Sequence, residues 1–153
     1  MNVESLYQEI ILDHYKNPRG KRPLAGAEGE SYQVNPTCGD EVTVQVARDR
    51  DGHLHVGYEG QGCSISQASA SVMAEMVEGM DVSTADAVRH AFVELMHSKG
   101  AVEPDEEVLG DGVAFVGVAK YPARIKCALL PWMALQDAQV KAGIGTEDQG
   151  EAR

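Results

Sequence analysis

The chain has 153 residues, 13 basic and 24 acidic, with a formal net charge of −11. That length fits one domain able to bury its own core. The charge argues against gripping nucleic acid, which takes clustered Lys and Arg, and against anionic membranes; it suits a partner with a basic surface.

Residues 4–16, ESLYQEIILDHYK, read as a helix, because Leu6, Ile10 and His14 fall four apart with Tyr7 and Ile11 beside them. Pro18 ends it by disfavouring helix at Asn17. Gly, Pro, Lys and Arg make 19–30 a linker, and ESYQV at 30–34 a short strand. From Glu41 the period becomes two. Val42, Val44 and Val46 alternate with polar or small residues, DRDG at 49–52 turns the chain, and Leu54, Val56 and Tyr58 alternate again, which predicts a hairpin.

GQG at 60–62 breaks the second strand. A helix follows from about Ser64 to Glu78, its small residues (SISQASAS) permitting close packing. Gly79 ends it, and Ser83 is the expected N-cap of the next, which runs to about His97. An acidic stretch, EPDEEVLGDG, precedes a short helix or turn near 105–118. The last helix starts with Pro122 in its first turn and is expected to kink at Pro131, which cannot donate a backbone hydrogen bond. The predicted organisation is one domain over 1–142 and a polar, disordered tail over 143–153. Its class is α+β, a small three-stranded antiparallel sheet packed against helices.

No apolar run reaches the ~20 residues of a membrane span. MNVESLYQEI lacks the basic-then-apolar order of a secretory signal, so the expected location is the cytoplasm. The three cysteines, Cys38, Cys63 and Cys127, are odd in number and far apart, unlike a disulfide framework, and are expected to be reduced.

NPTCGDEVTV sets Cys38 two residues before Asp40, across Gly39. In an extended chain both would point the way of Val42 and Val44, and Gly39 would let the backbone adjust. Cys63 follows the second hairpin strand at a helix start, where the helix's partial positive charge favours a thiolate. The residue before a hairpin's first strand and the residue after its second lie at one end, so Cys38, Asp40 and Cys63 are expected to converge. Cys127 enters from the last helix. Arg124 lies three residues earlier on the same face, and a guanidinium beside a thiolate favours its ionised form.

Three thiolates and a carboxylate suit tetrahedral Zn(II) or an iron–sulfur cluster. Their negative charge exceeds that of a divalent ion, which leaves the thiolates nucleophilic and lets one ligand depart during a reaction. Spacing alone leaves a second reading standing, since dispersed single cysteines are no CxxC motif and unliganded cysteines are common in cores.

Four stretches in order, LYQEIILDHYKNPRG, NPTCGDEVTV, GQGCSISQASASVMAEMVEG and YPARIKCALLPWMAL, resemble the IscU-like (NifU N-terminal domain-like) family of iron–sulfur cluster assembly proteins over nearly the whole chain. They look most like its SufU branch. Lys126 stands where IscU scaffolds have a histidine before the third cysteine, extra length falls near 98–115, and the Leu-Pro-Pro-Val-Lys run of IscU is absent.

The resemblance implies a SufE/IscU-like fold and a zinc-bound sulfur acceptor. Such a protein takes persulfide sulfur from a pyridoxal-phosphate cysteine desulfurase (SufS-like) and passes it to downstream cluster-assembly scaffold proteins. It implies Cys38, Asp40, Cys63 and Cys127 as zinc ligands, Cys38 as acceptor, and Arg124 as a residue that orients or stabilises the thiolate site. The alternative it leaves is a scaffold on which a [2Fe–2S] cluster is assembled. Pro131 departs from the family pattern, where a helix-compatible residue is usual.

Other conspicuous side chains have plainer readings. His14 and Tyr15 are read as packing residues, and His53, His55, His90 and His97 as surface or packing residues. Ser64, Ser66, Ser69 and Ser71 are read as small residues for helix packing, Met73, Met76, Met80 and Trp132 as core, and EPDEE as a solvated loop.

Overall fold

The alternating valines form the middle of a three-stranded antiparallel sheet, ordered β1-β2-β3, in a computed structural model that describes residues 3–145. The strands are β1 (Gly29–Asn35), β2 (Asp40–Arg48) and β3 (Leu54–Gln61). Val44 pairs with Tyr58 and Val46 with Val56, so the apolar faces of β2 and β3 stack on one side. Asp40 opens β2 on that same buried face, in register with Val42, Val44 and Val46.

β1 inverts the usual pattern. Its inward positions are Ser31, Gln33 and Asn35, while Tyr32 and Val34 are exposed. The inward polar groups satisfy one another and their neighbours: Ser31 Oγ donates to Asp137 Oδ2 at 2.7 Å, and Gln33 Nε2 donates to Ser31 Oγ at 2.9 Å. The 19–30 stretch read as a linker is part of the packing, since Gly20 O accepts from Tyr58 N at 3.2 Å and Leu24 N donates to Gln45 Oε1 at 2.8 Å.

The helices are α1 (Val3–Lys16), α2 (Ser64–Val77), α3 (Val82–His97), α4 (Glu106–Leu109) and α5 (Pro122–Ala142), with a 3-10 segment over Gly110–Lys120 between the last two. α2 is buried almost all round. Its alanines and serines let α1, α5 and β3 approach closely. α5 lies across β1 and β2 and carries Trp132 into the core, stacked on Phe92 at 4.6 Å between ring centroids.

One expectation is corrected. The N-cap of α3 is Asp81 and not Ser83: the helix begins at Val82, and the Asp81 carboxylate accepts from Thr84 N at 2.7 Å. α5 runs through Pro131, which is itself buried on the core side. Beside it, Ser69 Oγ donates to Ala128 O at 2.6 Å and accepts from Trp132 Nε1 at 3.0 Å, so a serine from α2 bonds α5 in the turn that holds the proline.

The packed chain runs past the expected limit at residue 142. Ile144 is buried and its N–H closes α5 on Gln139 O at 3.0 Å. Residues 146–153 of the expected tail lie outside the described residues.

Candidate metal centre

β1 turns into β2 through Pro36–Gly39, closing on the Asn35–Asp40 pair. Asn35 O accepts from both Cys38 N (3.2 Å) and Gly39 N (2.9 Å), and Gly39 adopts φ +73°, a left-handed conformation that glycine takes without penalty. Cys38 is therefore on a tight turn and not in extended chain. It is exposed, while Asp40 is fully buried on the sheet. The two side chains converge because the turn folds Cys38 back, not because alternate strand residues share a face.

β2 and β3 pair up to Glu41–Gln61, which brings Gly62 and Cys63 to Asp40. Cys63 is the residue before α2, and its N–H donates to Asp40 Oδ1 at 2.8 Å. Gly62 sits at φ +149°, and a Cβ there would fall 2.3 Å from Asp40 Oδ1. Only a residue without a side chain lets the carboxylate occupy its place. In the sequence Gly62 reads merely as a strand breaker; its position directly before a cysteine at a strand-to-helix junction is the signal of this role.

Cys127 enters from the second turn of α5, almost completely buried. Its Sγ lies 3.4 Å from Cys38 Sγ, and both thiols are free. One donor atom each from Cys38, Asp40 and Cys127 lies within 4.8 Å of the other two. Cys63 stands at the edge of this group, its Sγ 3.7 Å from Asp40 Oδ2 and 3.9 Å from Ser66 Oγ.

The spacings suit a tetrahedral ion. Sulfurs at about 2.3 Å from zinc stand roughly 3.8 Å apart, and a sulfur and a carboxylate oxygen roughly 3.5 Å apart. Pair by pair, the 3.4 Å between Cys38 and Cys127 sulfurs and the 3.7 Å between Cys63 Sγ and Asp40 Oδ2 agree within a few tenths of an ångström, with Cys63 outside the group of three that lie within 4.8 Å of one another. The charges point the same way. Burial pushes the Cys127 thiol well up, and the adjoining Asp40, Cys38 and Cys63 push it further. So many anionic donors gathered around a buried thiol require a cation before they can ionise together.

Arg124 is exposed on the first turn of α5 and lines a groove of about 670 Å³ that also touches Tyr7, Ile11, Ile65 and Val118. Among the described residues its side chain has no bond to the thiols or to Asp40. Lys126 is likewise exposed.

A second polar cluster had no counterpart in the sequence reading. His14 is fully buried; its Nδ1 meets Ser71 Oγ at 2.7 Å and its Nε2 meets Asp111 Oδ2 at 2.8 Å, with Glu75 Oε1 at 3.6 Å. Ser71 Oγ also accepts from Arg19 N at 2.9 Å. The serine–histidine–aspartate order resembles a catalytic relay, but Ser71 is buried and can meet no substrate. The cluster ties α1 to α2 and to the 3-10 segment, which bears out the packing role of His14. Asp49, Asp51 and His53 form another grouping of potential ligands, wholly exposed.

The profile of the NifU-like N terminal domain matches residues 6–128. The chain belongs to the NifU-like N terminal domain family. Within it the chain is of the SufU type. It is 44% identical to the zinc-dependent sulfurtransferase SufU of Bacillus subtilis (strain 168), across 97% of this chain and 96% of that one. It is 38% identical to the iron–sulfur cluster assembly scaffold protein IscU of Streptococcus pyogenes serotype M1, across 89% and 84%. Among solved structures, a putative iron–sulfur cluster assembly scaffold protein for the SUF system from Fervidobacterium islandicum AW-1 superposes with a TM-score of 0.76 at 36% identity, covering 90% of this chain and 98% of that one. The N-terminal part of a NifU-like protein from Brucella abortus gives 0.80 at 28% identity, covering 93% and 97%. These relatives bear out the α+β fold with its three-stranded antiparallel sheet. Among the described residues no helix of this NifU-like domain is long and apolar enough to cross a membrane.

Proposed function

We propose that this protein is a zinc-dependent sulfur acceptor. It takes persulfide sulfur from a pyridoxal-phosphate cysteine desulfurase and hands it to downstream iron–sulfur cluster assembly in the cytoplasm. One observation carries the reading: donor atoms of Cys38, buried Asp40 and Cys127 lie within 4.8 Å of one another at one end of the sheet, Cys63 Sγ stands 3.7 Å from Asp40, and only Cys38 among the cysteines is exposed. The SufU-type relatives support it.

Cys38, Asp40, Cys63 and Cys127 are the ligand set. Zinc held there would keep the sulfurs deprotonated near neutral pH. The residues divide the remaining work. Asp40, fixed by the Cys63 N–H, is the buried anchor. Cys127 is held by α5 behind the turn. Cys38 is the acceptor: its Sγ attacks the outer sulfur of the desulfurase persulfide, that S–S bond breaks, and its electron pair leaves with the desulfurase cysteine. Cys38 then bears the persulfide. Arg124 acts as a cation at the rim, steering the anionic persulfide towards the turn.

The test is to add the full chain to a purified desulfurase with cysteine. The expected results are faster sulfide release and a persulfide on the Cys38 peptide by mass spectrometry. Neither acceleration nor a persulfide would end the proposal. A stable coloured cluster formed on the chain by physiological components, with iron in place of zinc, would favour the scaffold reading.

A further inference from the structure

The two sulfurs of Cys38 and Cys127 approach to 3.4 Å, while Cys63 faces Asp40 and Ser66 instead. A disulfide would bring the pair roughly 1.4 Å closer, to about 2.05 Å. Cys38 is exposed on this turn, and the space beside its neighbour Gly39 is open, since a Cβ there would meet nothing within 4 Å. Accessibility is divided between the two. Cys38 is exposed to a small oxidant, and Cys127, 3% exposed, lies behind it. We propose that Cys38 and Cys127 are a peroxide-responsive pair, in which Cys38 is oxidised first and Cys127 resolves it into an intramolecular disulfide, leaving Cys63 a thiol.

The chemistry balances. Cys38 Sγ attacks one oxygen of hydrogen peroxide, the O–O bond breaks, and a sulfenic acid forms with release of the other oxygen as water. Cys127 Sγ then attacks Cys38 Sγ, and the sulfenic hydroxyl leaves with the Cys127 proton as a second water. The two thiols together lose two electrons, and the peroxide gains them. The product uses up two donors of the metal centre, so disulfide and bound ion exclude each other. The inference depends on the thiol geometry alone and stands whether or not the chain accepts sulfur from a desulfurase.

The full chain, as purified and after chelator treatment, is exposed to equimolar hydrogen peroxide, alkylated and mapped by non-reducing peptide mass spectrometry. The expected product is a Cys38–Cys127 link within one chain, with Cys63 alkylated. From zinc-loaded chain, a chromogenic chelator should register metal release in step with the link, and dithiothreitol should restore binding. In Cys127→Ser, dimedone should trap a sulfenic acid on Cys38. In Cys63→Ser, the link should still form. A link through Cys63, a link only between chains, or over-oxidation of Cys38 with Cys127 left free would overturn the proposal. The as-purified arm makes the outcome independent of how the metal-free chain folds.

Discussion

Gly62→Ala is the sharpest perturbation of the site that replaces none of its ligands. The new methyl carbon would stand 2.3 Å from Asp40 Oδ1, 2.8 Å from its Cα and 3.0 Å from its Cγ. The carboxylate must retreat by roughly 1 Å to reach ordinary contact. It then loses the Cys63 N–H bond now at 2.8 Å, a charge-assisted bond worth about 1.5–3 kcal/mol. Alanine at φ +149° adds strain of about 1–3 kcal/mol. Disturbing the groups that orient a ligand costs about 10–100-fold in metal affinity, and that is the loss expected here.

The assay is competition for zinc against a chromophoric chelator, with circular dichroism to confirm folding. Gly39→Ala is the control. It also has a positive φ, +73°, but its Cβ meets nothing within 4 Å, so it should show a backbone cost of about 1–2 kcal/mol and a much smaller effect on affinity. A folded Gly62→Ala chain that binds zinc as tightly as the parent would refute the reasoning.

Other perturbations follow from the packing. His14→Ala strands the buried Ser71 and removes the partner of the half-exposed Asp111, and should cost about 2–4 kcal/mol. In a chain of this size that lowers the melting temperature by about 4–16 °C in a thermal scan, while zinc stoichiometry should hold. Ser69→Ala removes the groups that meet Trp132 Nε1 and Ala128 O and should cost about 2–4 kcal/mol in urea unfolding; no change would mean these two buried bonds contribute nothing net. His55, bonded to Asp49 and Glu78, has its pKa raised by those carboxylates. Its stabilisation is therefore complete below the unfolded value near 6.5 and is lost as pH rises through the folded value. The stability gap between parent and His55→Gln should accordingly narrow from pH 5.5 to pH 8.5, and a gap that widened would contradict the ion pairs. Asp49, held at about 2 by the same histidine and by the His53 N–H, acts in the opposite sense, its contribution being lost only as acid is added towards that value.

Where burial and period agree, the sequence was readable. Val42, Val44 and Val46 alternate and are buried, and Cys63 at the strand-to-helix junction arrives beside Asp40 as the hairpin geometry requires. The residues of β1 mark a strand but hide its orientation, because Ser31, Gln33 and Asn35 face inward, Ser31 and Gln33 bonding each other and Asp137, while Tyr32 and Val34 face out. Cys38 reaches the site by a turn that no alternation rule describes. His14 gave no sign of its partners, because Ser71 and Asp111 lie 57 and 97 residues away and only the packing of three elements joins them. Asp81 and Ser83 are both good N-caps, and the choice between them rests on where Val82 enters the helix. Gly62 looked like punctuation, since its role depends on a carboxylate from another strand.

Zinc K-edge absorption of the purified chain tests the metal centre most directly. The account predicts one zinc per chain with three sulfurs near 2.3 Å and one oxygen near 2.0–2.2 Å, and one fewer sulfur in each of Cys38→Ser, Cys63→Ser and Cys127→Ser that still binds. A chain that holds no zinc, or zinc surrounded by nitrogen and oxygen alone, would contradict it.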